Sequence, residues 1–506
     1  MSSSFWRLDH LASHIHGSWL HTPRQPQTGI TLRGVCIDSR TADAGQVFVA
    51  LKGEHHDAHA YLTHVLDKGV GALILHDERA WNLARSHPRS AEVGVVLVRD
   101  TGIALLDLGG ALRRSFVDTR VLAVGGSNGK TTTVRLLHAC LAGAMRTRSS
   151  AKSFNNAVGV PLTILSTRAD DQALICEVGT NAPGELAPLA QVVEPDIAVI
   201  TSLGREHLEG LGDLRGVARE EASLLQGLRE GGTAFVNADS PELLDAVHDE
   251  AHIAARAGRR ISVRTFGFAP QSDTRVVEAM QSFDGVQFSL NDGTSWHVPL
   301  VGLHNAFNSA GAIDVARHMD VPDTTIASGL ASVQGPPMRL ERLTITTDGQ
   351  PIRVINDCYN ANPESMLAAL RTFKDLANSR GAATRRVAVL GDMLELGPQA
   401  NSLHAEVLEA AITTHAADQI VLIGSIWGRV MLGKQPSATA PNIKYFPDLQ
   451  TNISAIAMCL QPGDALLLKG SRGMALERLL PALRERWSTS NPLPEIKTAL
   501  PTSHHT

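Results

Sequence analysis

Short apolar runs alternate with stretches of helical periodicity along most of this chain. Such runs are typical of strands buried in a sheet, and the helical stretches are those expected of crossover connections. The predicted strands are Val47–Leu51, Ala72–Leu75, Val95–Val98, Val121–Val124, Ala173–Cys176, Ile197–Thr201, Ala234–Asn237, Ile352–Ile355, Arg386–Leu390, Gln419–Ile423 and Ala465–Leu468. This alternation predicts an α/β fold with doubly wound, mainly parallel sheets, which bind ligands at the carboxyl ends of their strands.

The predicted strands form three groups, and a chain of 506 residues is too long for one hydrophobic core. Residues 1–118 are predicted to form a small α/β domain, and residues 119–334 a central domain with a doubly wound sheet. Residues 335–487 are predicted to form a Rossmann-like domain with an open sheet. The segment 488–506 is rich in Ser, Thr and Pro without periodicity, and is predicted to be a disordered tail.

Composition narrows the class of protein. The net charge of −5, with acidic and basic residues interspersed, argues against nucleic acid as a partner. No apolar run approaches the ~18 residues of a membrane span, and the first residues lack the apolar core of a signal peptide. We therefore expect a cytoplasmic protein without a membrane span. Separately, we expect a monomer. The five cysteines are widely spaced, mostly in apolar contexts, which favours buried free thiols.

The strongest chemical signal follows the predicted strand Val121–Val124, where glycines and a Gly-Lys-Thr-Thr core lead into a helix. Backbone N–H groups of such a loop point at phosphate oxygens, its lysine meets the β- and γ-phosphates, and its threonine binds Mg²⁺. The residues predicted to hold ATP are Gly126, Ser127, Asn128, Gly129, Lys130, Thr131 and Thr132. Val124 stands where a strict Walker A loop has its first glycine, so an ordinary strand-turn-helix is the alternative.

Polar side chains follow other predicted strands of the central domain. Glu177 closes a strand next to the phosphate loop, where a Mg²⁺ ligand is expected. His207 follows the next strand and is a candidate ligand of a second metal ion, and Asn156 lies in a turn that can present amides to phosphate or substrate. A strand-end glutamate, a lone histidine and an Asn-Gly turn are equally compatible with ordinary surface or capping roles.

The third predicted domain carries a similar group. Asp357 ends a strand, as do acidic residues that bind a ribose, and Asn360 follows in the same segment. Lys469, Ser471 and Arg472 offer two cations and a hydroxyl group to an anionic substrate. The alternatives are a helix N-cap in the first segment and a charged strand-to-helix turn in the second.

Taken in order over about residues 34–477, these segments resemble the Mur ligase family. Asp38–Arg40 is similar to the family's N-terminal UDP-sugar-binding signature, which implies that Ser39 and Arg40 bind substrate. The family's phosphate loop also lacks the first Walker glycine, so Val124 is consistent with the resemblance.

The resemblance implies further contacts with ATP. Gly302–Asn308 is similar to the segment that closes the family's central domain, and this places Asn305 near adenine. Pro337–Glu341 is similar to a hinge whose arginine, here Arg339, reaches the ATP phosphates when the third domain closes. By the same resemblance, Asp357 holds the ribose.

Several motifs are similar to the forms found with one activity of the family. They are Glu177–Leu186, Asn356–Met366, Leu390–Gly397 with His404, and Lys469–Met474. They imply ATP-dependent addition of D-Ala-D-Ala to a UDP-MurNAc-tripeptide through an acyl phosphate. The resemblance also implies that Thr131 and Glu177 hold one Mg²⁺ beside Lys130, and that His207 helps to hold a second.

One position departs from the family pattern. The family carries a lysine, modified by CO₂ to a carbamate, that supports the second Mg²⁺, and here Glu221 stands in its place. No lysine occurs between Lys152 and Lys374. The hypothesis is that Glu221 supplies the carboxylate directly and removes the dependence on CO₂. The alternative is a weakened metal site with Glu221 as a solvated helix residue.

Two other functions stay open. The first is a Mur-type ligase that adds the third residue of the peptide, although the KGHE and DNPR strings expected of that relative are absent. The second is a nucleotide-binding pseudoenzyme with a regulatory role, which the missing lysine suggests. The presence of Lys130, Thr131, Glu177 and His207 argues against the second.

Overall fold

The computed structural model describes residues 5–23, 29–151, 153–378, 384–432 and 442–488. The chain divides into two compact units, named here unit 1, up to Gly335, and unit 2, from Pro336 onward. The predicted disordered tail lies outside the described residues, except for Ser488. Within the described ranges, no helix has both the length and the apolar character needed to cross a bilayer.

The strands of unit 1 are β1 (Ser18–His21), β2 (Val35–Cys36), β3 (Val47–Val49), β4 (Ala72–Leu75), β5 (Gly94–Leu97), β6 (Arg120–Gly125), β7 (Thr147–Ser149), β8 (Ala173–Glu177), β9 (Ile197–Ile200), β10 (Thr233–Asn237), β11 (Ser262–Gly267), β12 (Thr274–Ser282), β13 (Gly285–Leu290) and β14 (Ser295–Val298). Its helices are α1 (Leu8–His14), α2 (Leu62–Asp67), α3 (Glu78–Ala84), α4 (Thr101–Arg114), α5 (Lys130–Ala142), α6 (Gly159–Leu165), α7 (Leu186–Val193), α8 (Leu208–Leu211), α9 (Leu214–Ala222), α10 (Pro241–Arg256), α11 (His304–His318) and α12 (Asp323–Ser332).

The first sheet of unit 1 has the strand order β1-β5-β4-β3-β2. Strands β2 to β5 pair in parallel, and β1 is antiparallel to β5. Strands β3 and β4 are buried along their whole length, as expected for parallel strands covered on both faces. The core of this part of the chain includes Phe48, Leu73 and Trp81.

The second sheet of unit 1 has the order β14-β13-β12-β11-β10-β9-β6-β8-β7. Strand β6 pairs in parallel with β8 on one side and β9 on the other. The loops that follow these three strands therefore meet at one carboxyl edge of the sheet, where open α/β sheets bind ligands. Helices α5 and α11 contribute Leu137 and Ile313 to the core beneath this edge.

Unit 2 has one sheet of order β15-β16-β20-β17-β18-β19. Its strands are β15 (Glu341–Ile345), β16 (Ile352–Asp357), β17 (Arg386–Gly391), β18 (Gln419–Ile423), β19 (Asn442–Phe446) and β20 (Ala465–Lys469), and its helices are α13 (Pro363–Asn378), α14 (Ala400–Thr413), α15 (Ser425–Leu432), α16 (Ile453–Ala457) and α17 (Leu479–Ser488). All neighbouring strands are parallel except β15, which is antiparallel to β16. Because β20 pairs with both β16 and β17, the last strand of the chain is central to the sheet.

The predicted α/β fold with parallel-rich sheets is confirmed, and every predicted strand is present with ends that differ by at most two residues. The sequence did not predict the antiparallel strands β12 to β14, because exposed and buried positions are mixed along them and leave no apolar run. All five cysteines are free and buried, as predicted. The domain boundary near residue 118 stays a prediction.

Candidate active site

The phosphate loop predicted from the sequence connects β6 to α5. Gly126 and Gly129 have φ angles of 110° and 92°, values that favour glycine over residues with a side chain. A Cβ atom at Gly126 would also clash with Thr201 Oγ1. The loop needs glycine at both positions, and its last glycine is the N-cap of α5, so helical N–H groups begin at Lys130.

Residues after β9 fasten this loop. The Ser127 N–H donates to the Ser202 carbonyl at 2.7 Å. The hydroxyl groups of Thr201 and Ser202 both donate to the Asn128 carbonyl, at 2.6 and 2.9 Å. Hydrogen bonds to the segment that follows the neighbouring strand thus hold the loop.

Lys130 lies along the loop that precedes it. Its Nζ donates to the carbonyls of Gly126 at 2.5 Å and Ser127 at 3.3 Å. It also lies 3.9 Å from Glu206 Oε1. The ammonium group therefore stays beside the loop's N–H groups, where a phosphate anion would meet both.

Glu221 lies beneath the same loop and is only 1% exposed. Its Oε2 accepts a hydrogen bond of 2.6 Å from the Gly126 N–H. Burial raises the pKa of the Glu221 carboxyl, whereas the charge of Lys130 and the Gly126 N–H oppose that change. The alternative of Glu221 as a solvated helix residue is wrong, because α9 packs this residue inside unit 1.

Glu177 ends β8 and is fully buried. Its Oε1 accepts a hydrogen bond of 3.0 Å from Asn155 Nδ2. Its Oε2 is buried without a hydrogen-bond partner among the described residues. A buried carboxylate oxygen without a donor is costly unless a cation or another donor meets it. Thr131 is the second residue of α5, and its Oγ1 lies 3.2 Å from Ser153 Oγ.

The donor set fits Mg²⁺ only in company with a nucleotide. Within the described ranges, no group of three or more His, Cys, Asp and Glu side chains converges on one point. Nucleotide-bound Mg²⁺ needs only one or two protein oxygens because phosphates and waters supply the rest. The Glu177 carboxylate and the Thr131 hydroxyl are oxygens of the required kind. His207 has a left-handed φ of 52° at the start of α8, and its predicted role in a second metal site stays a prediction.

Asn305, predicted to lie near adenine, is buried and bonded within its own segment. Its Nδ2 donates to the Val301 carbonyl at 2.8 Å, and its Oδ1 accepts from Asn308 Nδ2 at 3.4 Å. Asn308 Oδ1 is buried without a partner among the described residues, and it lies 3.0 Å from the position of a Cβ atom on Gly129. The structure thus brings Asn308, three residues further along α11, to the phosphate loop.

Two other predicted substrate residues of unit 1 have clear structural contacts. Asn156 Oδ1 accepts from the N–H groups of Val158 and Gly159 at the start of α6. Arg40 forms two close hydrogen bonds with Asp38, at 2.9 and 2.6 Å, and its side chain is 85% exposed. These bonds lower the pKa of Asp38 to about 2. Ser39 lies in the same turn.

In unit 2, the predicted ribose ligand and a predicted substrate cation form an ion pair. Asp357 and Lys469 are opposite each other in the register of β16 and β20, and Lys469 Nζ lies 2.7 Å from Asp357 Oδ2. Lys469 is 2% exposed and also donates to the Asn360 carbonyl at 3.1 Å. Asp357 Oδ1 accepts from the Leu340 N–H at 3.0 Å. The sequence did not predict this pair, because its members lie on strands that are remote in the chain.

The other predicted residues of unit 2 differ in their side-chain contacts. Ser471 Oγ accepts from the Leu394 N–H at 2.9 Å. Arg472 Nη1 lies 2.7 Å from Glu477 Oε1. Arg339 places its guanidinium carbon 4.1 Å from the centre of the Tyr359 ring. The part of the chain that the structure describes gives Arg339 no carboxylate partner, so its charge is available to an anion.

A doubly wound sheet with a glycine loop, an adjacent lysine and a buried carboxylate at its carboxyl edge defines the class of nucleotide-binding α/β proteins. The particular family follows from comparison with known proteins. The model of the Mur ligase middle domain matches residues 124–316, and that of the Mur ligase glutamate ligase domain matches residues 338–472. Relatives at more than 30% identity extend over nearly the whole chain. This chain belongs to the Mur ligase family.

Two of the relatives named UDP-N-acetylmuramoyl-tripeptide–D-alanyl-D-alanine ligase show the extent of the similarity. The one from Bacillus subtilis is 32% identical over 476 residues, which are 94% of this chain and 97% of the relative. The one from Escherichia coli is 31% identical, over 90% of this chain and 94% of the relative.

Comparison with solved structures gives the same family. The crystal structure of MurF from Acinetobacter baumannii matches with a TM-score of 0.79 at 28% identity, over 95% of this chain and 99% of that one. The MurF ligase of Thermotoga maritima in complex with ADP matches with a TM-score of 0.72, over 91% of this chain and 99% of that one. Its identity of 22% supports the fold alone.

Proposed function

We propose that this protein is an ATP-dependent ligase that joins D-Ala-D-Ala to a UDP-MurNAc-tripeptide in the synthesis of peptidoglycan precursors. The observation that carries the proposal is the match, over 94% of the chain, to a relative named for that reaction. The buried carboxylates Glu177 and Glu221 beside the phosphate loop also support it. Buried acidic residues at this loop are expected of a nucleotide-binding site and not of an ordinary strand-turn-helix.

In the first step, a carboxylate oxygen of the tripeptide forms a bond to the γ-phosphorus of ATP, and the bond to the β-phosphate oxygen breaks to release ADP. Several anionic groups must approach one another, so charge neutralisation and positioning supply most of the catalysis. Lys130 and the N–H groups of Gly126 to Gly129 would neutralise the phosphates. Thr131 and Glu177 would hold Mg²⁺, which when bound withdraws negative charge from the phosphate oxygens.

In the second step, the amine of D-Ala-D-Ala attacks the carbonyl carbon of the acyl phosphate. The amide bond forms as the bond to phosphate breaks, and the amine loses its proton. We assign Ser39 and Arg40 to the UDP-sugar, and Asn156, Asn360, Ser471 and Arg472 to the peptide substrates.

The contacts in unit 2 suggest different roles for Lys469 and Arg339. Lys469 is buried against Asp357 and the Asn360 carbonyl, so we propose that it holds the Asp357–Asn360 segment in place and does not meet substrate as a free cation. Arg339, which has no carboxylate partner within the described ranges, is the residue proposed to meet the ATP phosphates.

We further propose that Glu221 carries the negative charge that a carbamylated lysine supplies elsewhere in the family. Its carboxylate is buried, bonded to the loop through Gly126 and close enough to Lys130 to feel its charge. The site would then need no CO₂. Because the proposed reaction uses ATP and a UDP-sugar, we also propose that it takes place in the cytoplasm.

The direct test is product analysis by mass spectrometry. The full-length protein is incubated with ATP, Mg²⁺, D-Ala-D-Ala and a UDP-MurNAc-tripeptide, in separate reactions with lysine and with diaminopimelate as the third residue. We expect a UDP-MurNAc-pentapeptide and one phosphate released per amide bond. Product only from a UDP-MurNAc-dipeptide and a single amino acid would favour the third-residue ligase. Nucleotide binding without phosphate release for any amine would favour the pseudoenzyme.

A further inference from the structure

Arg339 lies in a segment whose backbone is unusual on both sides. Met338 and Leu340 have φ angles of 57° and 48°, which are uncommon for residues with long side chains. Such a conformation persists where surrounding contacts impose it, and it is often found at functional sites. The chain therefore turns sharply before and after Arg339, and the surroundings must hold it there.

Three hydrogen bonds to backbone groups of Met338 and Leu340 hold this segment in unit 2. The Met338 N–H donates to Glu341 Oε2 at 3.0 Å, and the Leu340 N–H donates to Asp357 Oδ1 at 3.0 Å. The Tyr359 N–H donates to the Met338 carbonyl at 3.1 Å. These bonds fix the backbone on either side of Arg339, but they do not fix its long side chain.

The side chain of Arg339 lies over the Tyr359 ring. The guanidinium carbon of Arg339 lies 4.1 Å from the ring centre, well inside the ~6 Å range of a cation–π contact. Arg339 and Tyr359 are both partly buried. A planar guanidinium stacked on an aromatic ring keeps its N–H groups directed outward, and those groups suit the oxygens of a phosphate.

We propose that Tyr359 is a positioning residue for Arg339. Its ring holds the guanidinium in place in advance, so that less side-chain freedom is lost when Arg339 meets the terminal phosphate of ATP. The ring performs this role and the hydroxyl group does not. The inference rests on the proposed function, since that function gives Arg339 its phosphate.

The test combines ligation kinetics with a double-mutant cycle. Tyr359→Leu removes the ring but keeps an apolar side chain, and Tyr359→Phe removes only the hydroxyl group. We expect Tyr359→Leu to lower kcat about 10-fold with little change in KM for D-Ala-D-Ala, and Tyr359→Phe to stay within about twofold of wild type. In an Arg339→Ala background, Tyr359→Leu should lower the rate no further, because the ring then has nothing to position.

Tyr445→Leu is the matched control, because Tyr445 is a 40% exposed tyrosine on β19 of the same unit. It should leave the rate unchanged. An equal loss from Tyr359→Leu with and without Arg339 would overturn the proposal, and so would a loss from Tyr359→Phe as large as that from Tyr359→Leu.

Equilibrium binding separates this proposal from the proposed function. Tyr359→Leu should weaken binding of the non-hydrolysable analogue AMP-PNP with Mg²⁺ but leave AMP binding unchanged, since only the analogue has terminal phosphates. A wild-type protein that binds AMP-PNP but ligates nothing would disprove the ligase function, while this comparison would still test Tyr359. Equal weakening for AMP and AMP-PNP would count against the positioning role. Thermal unfolding of each variant establishes that it is folded.

Discussion

Glu221 illustrates how a single buried side chain contacts the phosphate loop. Glu221 is buried and accepts a hydrogen bond from Gly126, so its carboxylate lies directly beneath the loop. Burial raises its pKa, and the positive charge of Lys130 opposes that rise. A buried carboxylate is retained where an opposite charge and a hydrogen bond stabilise it.

Replacing this carboxylate should reduce activity in a way that bicarbonate cannot restore. We expect the wild-type protein to ligate at the same rate with and without bicarbonate. Glu221→Gln should lose at least about 10-fold, because the amide can still accept from Gly126 but carries no negative charge. Glu221→Lys should regain activity when bicarbonate is added. The measurement is phosphate release in CO₂-depleted buffer, titrated with bicarbonate.

The control for this experiment is Glu278→Gln, which changes an exposed glutamate on β12. It should behave as wild type at every bicarbonate concentration. A wild-type rate from Glu221→Gln in CO₂-depleted buffer would show that Glu221 does not replace the carbamate.

His404 in unit 2 gives a prediction about pH. It is fully buried, its Nε2 accepts from the Met393 N–H at 2.9 Å, and its Nδ1 lies 2.6 Å from the Ala400 carbonyl, so the ring is neutral with its proton on Nδ1. Burial lowers the pKa of His404 below its ordinary value of 6.5. As the pH falls below 6.5, the unfolded state therefore binds a proton before the folded state does, and stability is lost.

Urea unfolding at pH 7.5 and pH 5.5 checks this prediction. The free energy of unfolding should fall more between these values for wild type than for His404→Gln, which cannot titrate. The comparison uses the change with pH, so a uniformly less stable variant is still informative. The same change with pH in both proteins would show that His404 does not contribute.

At the scale of elements, α9 connects two loops of the site through adjacent side chains. Glu221 bonds the phosphate loop, and its neighbour Glu220 accepts from the N–H groups of Gly184 at 2.8 Å and Leu186 at 2.9 Å. Glu220 thus holds the loop between β8 and α7, which follows Glu177. Helix α9 therefore contacts both the phosphate loop above Glu221 and the loop that follows Glu177.

Glu220→Gln should destabilise unit 1 by about 1–3 kcal/mol, because the amide NH₂ group would face a backbone N–H and leave a buried group unpaired. Urea unfolding measures the change. Arg219→Gln, an exposed change on the same helix, is the control and should stay within about 0.5 kcal/mol of wild type. A Glu220→Gln variant as stable as this control would mean that the loop is held by other contacts.

Elements also differ in how far the sequence predicted them. Buried parallel strands such as β8 and β18 were predicted within a residue of their ends, because continuous apolar runs identify them. Strands β12 to β14 were missed, because exposed and buried residues mix along them and pairing in the sheet stabilises them. The local pattern of apolar residues predicts a strand when its residues are buried continuously. It fails to predict a strand whose formation depends on pairing with neighbouring strands.

At the scale of the whole molecule, each unit has its own hydrophobic core. The core of unit 2 includes Val354, Val389 and Leu466, from β16, β17 and β20. The core beneath the phosphate loop draws on residues of unit 1 alone. Because unit 2 has a core of its own, it is expected to unfold cooperatively and independently of unit 1.

A fragment of residues 336–488 should therefore fold alone and give a single sigmoidal transition in urea, followed by far-UV circular dichroism. A fragment of residues 336–460 is the control, because it lacks β20, which lies between β16 and β17. It should show no cooperative transition. A gradual, non-cooperative loss of signal from the longer fragment would contradict the independence of unit 2.

The sequence by itself determined the α/β fold, the positions of the buried strands and the phosphate loop, because each is encoded by neighbouring residues. A glycine loop ending in Lys130 carries its chemistry within one short segment. Tertiary structure decided the rest. Glu221 accepts a hydrogen bond from Gly126, which lies 95 positions away in the chain. Lys469 forms an ion pair with Asp357 on another strand, and Arg339 lies over the ring of Tyr359. Burial and charge pairing depend on which strands and helices become neighbours, and only the folded chain sets those.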